Sequence, residues 1–387
     1  GEKWQPRRND LDTNWREREA KRFTDNTYTK LPWYRRDFWK NSTLLNEHFA
    51  HVSVLKSGMV AFTESSAQGE LNKTGPEKSH IVPILYRPFD VRYTYFTGKS
   101  KGFHCMPRGE VMQHMLKENI GLITVRKAPP DSLFNYFFVS ENIISNGSIR
   151  SDNQSIDTFF PLYLYHERKK NRSGGGITMM LFEPEVPYGS GKKFPNIAPK
   201  IFEMLQLAYK RQPSPEDIFY YIYGVLYSNA YRKKYAEFLK TDFPRVPFTS
   251  DVKLFKSIAK KGEELVALHL LKSKKLGKSI AHCESEGDNR VEKVTYDERK
   301  KRVYFNSSQY FAGVTKEIWE YHIGGYQVAE KWLKDRKGRI LSSEEVSHYC
   351  KVITALAETI KVQNSLDELF EEVEKNILEV KFSNTPQ

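Results

Sequence analysis

The sequence predicts an α+β fold in two parts: a mixed β lobe, then a mainly helical lobe with a small β-hairpin. Three observations predict it. Short apolar or alternating runs crowd residues 81–165. A stretch rich in glycine, serine and lysine interrupts the chain at 171–195. Beyond it, apolar residues recur at helical spacing behind serines able to cap a helix. A chain of 387 residues also exceeds what one hydrophobic core usually serves.

Residues 1–79 carry Trp4, Trp15, Trp33, Tyr34 and Trp39 among charges and are expected to be a lead-in segment. The β lobe is expected over 80–170. Residues 81–85 form a short apolar run, and 91–96 alternate and are rich in aromatics. Val111, Met112, Met115 and Leu116 make a helical stripe after Pro107, and 120–125, 133–139 and 161–165 read as strands. Ser173, Gly174, Gly175 and Gly176, then Gly189, Ser190 and Gly191, mark a loop or linker over 171–195.

The helical lobe occupies 196–387. Ser214, Pro215 and Asp217 open a helix as cap, first-turn proline and capping-box acid. Ile218, Tyr221, Ile222, Val225 and Leu226 line its apolar face. A second helix runs through Tyr235, Phe238 and Leu239 and stops before Pro244. Residues 291–311 read as a hairpin with a charged turn at 297–301. Ser342 with Glu345, and Ser365 with Glu368, predict two later helix starts.

Composition narrows the function. Hydrophobic residues at 39% and aromatics at 13% exclude global disorder. The 61 Lys+Arg against 48 Asp+Glu leave a net charge of +13, which suits a polyanionic partner or a solvated basic face. Cys105, Cys283 and Cys350 are distant and lack a CxxC pair, against a disulfide framework or cysteine zinc site and in favour of a reduced cytosolic setting. No apolar run approaches the roughly 18 residues of a bilayer span, and the polar start resembles no signal peptide. A first residue of Gly rather than Met is expected of a piece of a longer protein.

Catalytic patterns are missing. The nearest match to an adenine-gripping Asn/Asp-Pro-Pro-Tyr/Phe loop is Ala128-Pro129-Pro130-Asp131, without the polar residue before or the aromatic after. Gly324 with Gly325, and Gly174 to Gly176, do not follow a strand and open a helix. There is no P-loop and no nuclease-like acidic set. His48 and His51 lack further ligands, and His104, His114 and His322 read as structural or surface residues. No catalytic residue, metal ligand or cofactor is therefore assigned.

Features that suit nucleic acid are present. Arg87, Arg92, Lys99, Lys101 and Arg108 interleave with Tyr86, Tyr93, Tyr95 and Phe103, as cations meeting phosphates would. The competing reading pairs Arg87 with Asp90 inside the protein, and Tyr86, Phe89 and Asp90 are expected there. Arg126 and Lys127 lie between two strands. Asn146, Ser148, Arg150, Asn153 and Gln154 follow the second and are types that read base edges; a plain polar loop is the alternative. Lys334, Arg336, Lys337 and Arg339 cluster near a helix end, where cations are also favoured without a ligand. Ser307, Gln309 and Tyr310 lie in the hairpin region and could face a groove.

The run Tyr86-Arg87-Pro88-Phe89-Asp90-Val91-Arg92 resembles the Tyr-Arg-Pro-Phe-Asp-x-Arg segment in the C-terminal specificity domain of Type ISP single-polypeptide restriction-modification enzymes. It recurs in related Type IIG and IIL fused methyltransferase-nucleases. Residues 119–126, 160–165, 217–227, 231–239, 242–247, 324–328 and 331–339 are similar to later segments in the same order, so the resemblance spans about 80–360. It implies sequence-specific recognition of duplex DNA as a target recognition domain. It further implies a bacterial, cytoplasmic parent with nuclease, motor or coupler, and N6-adenine methyltransferase parts ahead of this region, and S-adenosylmethionine bound by the parent rather than by this region. A catalytic nuclease or methyltransferase domain in its own right, and a basic protein-interaction scaffold, are the alternatives.

Overall fold

A computed structural model describes residues 64–74, 77–100, 103, 104, 107–129, 132, 134–152, 157–165, 193–240 and 243–378. Lys101, Asn153, Gln154, the lead-in segment to residue 63 and the linker over 171–192 lie outside the described residues.

Helix α1 (Glu64–Thr74) buries Ala67 and Leu71 ahead of the β lobe. Strands β1 (Ile81–Arg87) and β2 (Asp90–Tyr95) pair antiparallel through the two-residue turn Pro88-Phe89. Phe89 sits at φ 61, a region costly for a bulky side chain. Packing holds it there: its ring meets Phe138 at 5.3 Å and His269 at 5.9 Å, and its carbonyl is 2.7 Å from His348 Nε2. The predicted helical stripe is a short turn, α2 (Gly109–Met112), continued as a 3-10 turn over Gln113–Leu116.

Strands β3 (Gly121–Thr124), β4 (Phe137–Ser140) and β6 (Thr158–Pro161) form a sheet in the order β4-β3-β6. The expected strand over 133–139 starts only at Phe137, because Phe134 turns the chain at φ 52. The short β5 (Ile143–Ile144) joins β1 in parallel, completing the order β2-β1-β5. Strand β7 (Tyr163–Tyr165) pairs with β8 (Lys193–Pro195), so the last residues of the predicted linker are a strand.

The helical stretch that follows contains α3 (Pro199–Tyr209), α4 (Pro215–Tyr227), α5 (Asn229–Lys234), α6 (Ala236–Leu239) and α7 (Val252–His269), packed into one core with the strands. The Ser214 capping box forms in both directions, with Asp217 N to Ser214 Oγ at 3.0 Å. The single helix expected through Tyr235 is two short ones, α5 and α6, broken at Tyr235. Helices α4 and α7 approach with little between their backbones. A methyl group on Gly262 would run into the Tyr220 carbonyl, and one on Gly224 would lie 2.9 Å from Ile258 O.

The predicted hairpin belongs to a larger sheet. Strands β9 (His282–Glu284), β10 (Thr295–Asp297), β11 (Arg302–Tyr304) and β12 (Tyr310–Ala312) run in the order β10-β11-β12-β9. Helix α8 (Lys316–Trp319) leads to a small hairpin, β13 (His322–Ile323) and β14 (Tyr326–Gln327), then α9 (Val328–Lys334) and α10 (Ser343–Lys375). Ser342 and Glu345 cap α10 as predicted. Ser365 does not start a helix. It lies within α10 and its hydroxyl donates to Lys361 O at 3.3 Å, because buried Val362, Leu366, Phe370 and Val373 continue one apolar stripe. Among the described residues no helix is long and apolar enough to cross a membrane.

Buried tyrosines knit the helical lobe by ending on carbonyls. Tyr221 donates to Pro247 O at 2.8 Å, Tyr231 to Arg245 O at 3.0 Å, and Tyr227 to Phe137 O at 2.8 Å, the last reaching the β lobe. His269 lies among them, with Tyr223 Oη 2.7 Å from Nδ1 and Thr359 Oγ1 3.0 Å from Nε2. Burial, with Arg232 nearby, lowers its pKa to about 3, and burial lowers that of His104 to about 4. Both are held neutral in the fold, while the unfolded imidazoles protonate near 6.5. Their contribution is present above pH 6.5 and lost as pH falls, by about 2 kcal/mol each at pH 5. Asp157, raised to about 6 by burial, opposes them with a smaller gain over the same window. The unfolding temperature should therefore fall between pH 7.5 and pH 5; an unchanged or higher value at pH 5 would contradict these burials.

Candidate nucleic-acid interface

The register of the β4-β3-β6 sheet sets Thr124 opposite both Phe137 and Thr158, so the exit of β3 and the entries of β4 and β6 share one end. Arg126 and Lys127 are exposed there. Residues 145–152 pack beside them. Arg150 bonds Asp152 through Nε at 2.5 Å and Nη2 at 2.8 Å, and Lys127 O through Nη1 at 2.5 Å. Asp157 Oδ2 accepts from Ser148 Oγ at 2.9 Å and Ile149 N at 3.1 Å. Burial pushes this carboxyl up to about 6, and the Ile149 and Ser148 bonds oppose the shift. Arg108 donates to Asp157 O at 3.2 Å, while the Gly98 turn bearing exposed Lys99 lies against Gly109.

The structure thus gathers Lys99, Arg108, Arg126, Lys127, Asn146, Ser148 and Arg150 around one end of one sheet. Two of them need correction as base readers. Ser148 and Arg150 are buried, and their polar atoms are spent on Asp157, Asp152 and Lys127. They shape the loop from inside. The surface at this end comes from Arg126, Lys127, half-buried Asn146 and exposed Ser151 and Asp152. The last two are passed over in the sequence because the arginine just before them draws the reading role; only the fold shows it turning inward.

The β13–β14 hairpin closes the far side of the same loop. Gly324 N donates to Asn135 O at 3.0 Å and Gly325 N to Ile149 O at 2.8 Å. Tyr326 Oη donates towards Gly147 O at 2.9 Å and Arg150 O at 3.2 Å. The glycines are needed for contact: Gly324 has φ 57, and a side chain there would strike Ile149 O.

A second group of predicted cations lies where β2 meets the segment joining α9 and α10. Asp90 bonds Arg92 at 2.8 Å and Arg336 at 3.1 Å, and Glu345 bonds Arg339 at 2.8 Å and Arg336 at 3.3 Å. Burial raises the Asp90 pKa, but the Arg336 and Arg92 guanidinium groups outweigh it and hold the carboxyl well below the usual range. Arg92, Arg336 and Arg339 are thus structural cations of a buried network, correcting their assignment to DNA. Arg87 stacks between Tyr86 and Tyr326, 4.1 and 4.8 Å from the ring centres. Asp90 and Phe89 are inside, as expected, but Asp90 pairs with Arg92 and Arg336 and not with Arg87, which donates to Tyr86 O at 2.7 Å; the half-buried Tyr86 ring lies under both the Arg87 and Arg92 guanidinium groups.

The remaining candidates are elsewhere. Lys334 is exposed and paired with Glu330 at 2.8 Å, and Lys337 is exposed. Gln309 is buried and corrected as a groove contact: Oε1 accepts from Asn289 N and Asn306 Nδ2, both at 2.9 Å, closing the turn before β12. Tyr310 bonds Glu284 at 2.5 Å beneath Arg302, leaving Ser307 exposed at the turn.

These parts define an α+β module with one continuous hydrophobic core, and its β4-β3-β6 loop end presents hydrogen-bonding groups with two exposed cations. The chain matches the family model described as the Type ISP C-terminal specificity domain over residues 12–365. It belongs to that family. The ATP-dependent Type ISP restriction-modification enzyme LlaBIII, solved bound to DNA, is similar at 18% identity and TM-score 0.56, covering 92% of this chain and 22% of that one. The DrdV–DNA complex is similar at 20% identity and TM-score 0.59, covering 92% and 35%. Those likenesses establish a shared fold, and the chain spans about a fifth to a third of their length. No curated protein matches it.

Proposed function

We propose that the chain is the target recognition part of a bacterial, cytoplasmic restriction-modification enzyme, binding duplex DNA at the loop end of the β4-β3-β6 sheet. The observation that carries this is the convergence of exposed Arg126 and Lys127 with the polar loop 145–152, in a member of a specificity-domain family. DNA in the LlaBIII and DrdV structures supports it. An upstream N6-adenine methyltransferase would supply the chemistry and hold S-adenosylmethionine. The glycine pair here does not fit such a cradle, since Gly324 N and Gly325 N already donate to Asn135 O and Ile149 O.

Affinity for a random-sequence duplex should fall steeply with salt, with a log-log slope of about −0.9 per phosphate contact. Lys127→Ala should weaken all duplexes alike and reduce that slope by roughly one contact. No binding at low salt, or a salt-insensitive affinity, would favour a protein-interaction scaffold instead.

A further inference from the structure

We infer that the β13–β14 hairpin of the helical lobe sets the shape of the DNA-facing loop 145–152, making Tyr326 a positioning residue for sequence discrimination. This rests on the reading of the loop end as the DNA-reading surface.

The loop is gripped from two sides at residues 147–150. Its own lobe supplies Asp157, which accepts from Ser148 and Ile149. The hairpin, more than 170 residues later in sequence, supplies the rest. The Tyr326 hydroxyl lies between the carbonyls of Gly147 and Arg150, closing both ends of the stretch on one donor. Gly325 N bonds the carbonyl between them, Ile149 O, at 2.8 Å. Asn135 Nδ2 ties the base of β4 to His322 O at 2.6 Å, so the hairpin cannot shift alone. The Tyr326 ring is fixed by Arg87, 4.8 Å away.

Asn146 on one flank of the gripped stretch, and Ser151 and Asp152 on the other, face solvent to different degrees. Their backbone positions follow from the grip. Base-edge hydrogen bonds depend on placement within a few tenths of an ångström, whereas phosphate contacts by long, mobile lysines tolerate more. Loosening the hairpin should therefore cost discrimination before it costs general affinity.

The test is selection from a randomised duplex library, with affinity and salt slope measured for the enriched and unselected duplexes. Wild-type protein should enrich a motif. Tyr326→Phe keeps the ring under Arg87 and removes only the hydroxyl. It should lose about three- to tenfold of the preference for that motif, with unchanged affinity and salt slope on unselected duplex. If this variant does not fold, Asn135→Ala carries the test, since it removes the Nδ2 tie from β4 to His322 O of the hairpin without touching residues 146–152. An undiminished preference in the folded variant overturns the inference, as does an equal loss on every duplex. Failure of wild-type protein to enrich any motif overturns the reading beneath it, and the inference with it.

Discussion

Asp90→Ala should destabilise the protein by about 3–5 kcal/mol, the loss expected when one partner of a buried ion pair is removed. Asp90 is 2% exposed and stands between Arg92, at 4%, and Arg336, at 7%. Without the carboxylate, two guanidinium groups face each other in a site closed to water. Glu345 bonds Arg336 and Arg339 and leaves Arg92, whose carboxylate partner is Asp90, uncompensated beside Arg336. The loss also removes the bonds by which β2 holds the end of α9, since Arg336 reaches Asp90 across 246 residues of sequence. Adding Arg336→Met to Asp90→Ala should restore part of the stability by removing the like charge that then faces Arg92. Urea unfolding reads both variants; a single-variant loss below 1 kcal/mol would show that water reaches the site.

Gly262→Ala should cost about 3 kcal/mol, the upper range for overpacking. Most glycine-to-alanine changes inside a helix stabilise it, by about 1 kcal/mol. Here the new methyl group meets a backbone carbonyl of α4, which cannot rotate away as a side chain would. The helices would have to separate, loosening contacts such as Tyr221 stacked 4.8 Å from Phe255. Gly277→Ala, where nothing lies within 4 Å of the new group, is the control and should leave the unfolding midpoint nearly unchanged. Equal effects at both positions would contradict the close approach of α4 and α7.

Local signals carried much of the fold into the sequence. The Ser214 and Ser342 capping boxes were legible because cap, acid and apolar face all lie within a few residues. Ser365 with Glu368 has the same spelling and no such role, since only the continuous stripe around it reveals an uninterrupted helix. Strands β5, β6 and β9 were not legible: they are two to four residues long and exist through partners distant in sequence. The site divides likewise. Lys127 and Arg126 could be read as exposed cations between strands, and the expectation that Asp90 lies inside also held. The inward turn of Arg150, Arg336 and Arg339 could not be read, because an arginine that reads guanine and one that satisfies a buried carboxylate are the same residue until its neighbour is known.

The most direct test of the account is site-specific photocrosslinking to duplex DNA. A crosslinking side chain placed at Ser151 samples the loop end, and one placed at Ser307 samples the exposed turn of the late sheet. Crosslinks to bases from position 151, sensitive to the sequence selected from a randomised library and absent from position 307, are the predicted result. Base crosslinks from 307 with none from 151 would contradict it and move the reading surface to the β9–β12 sheet.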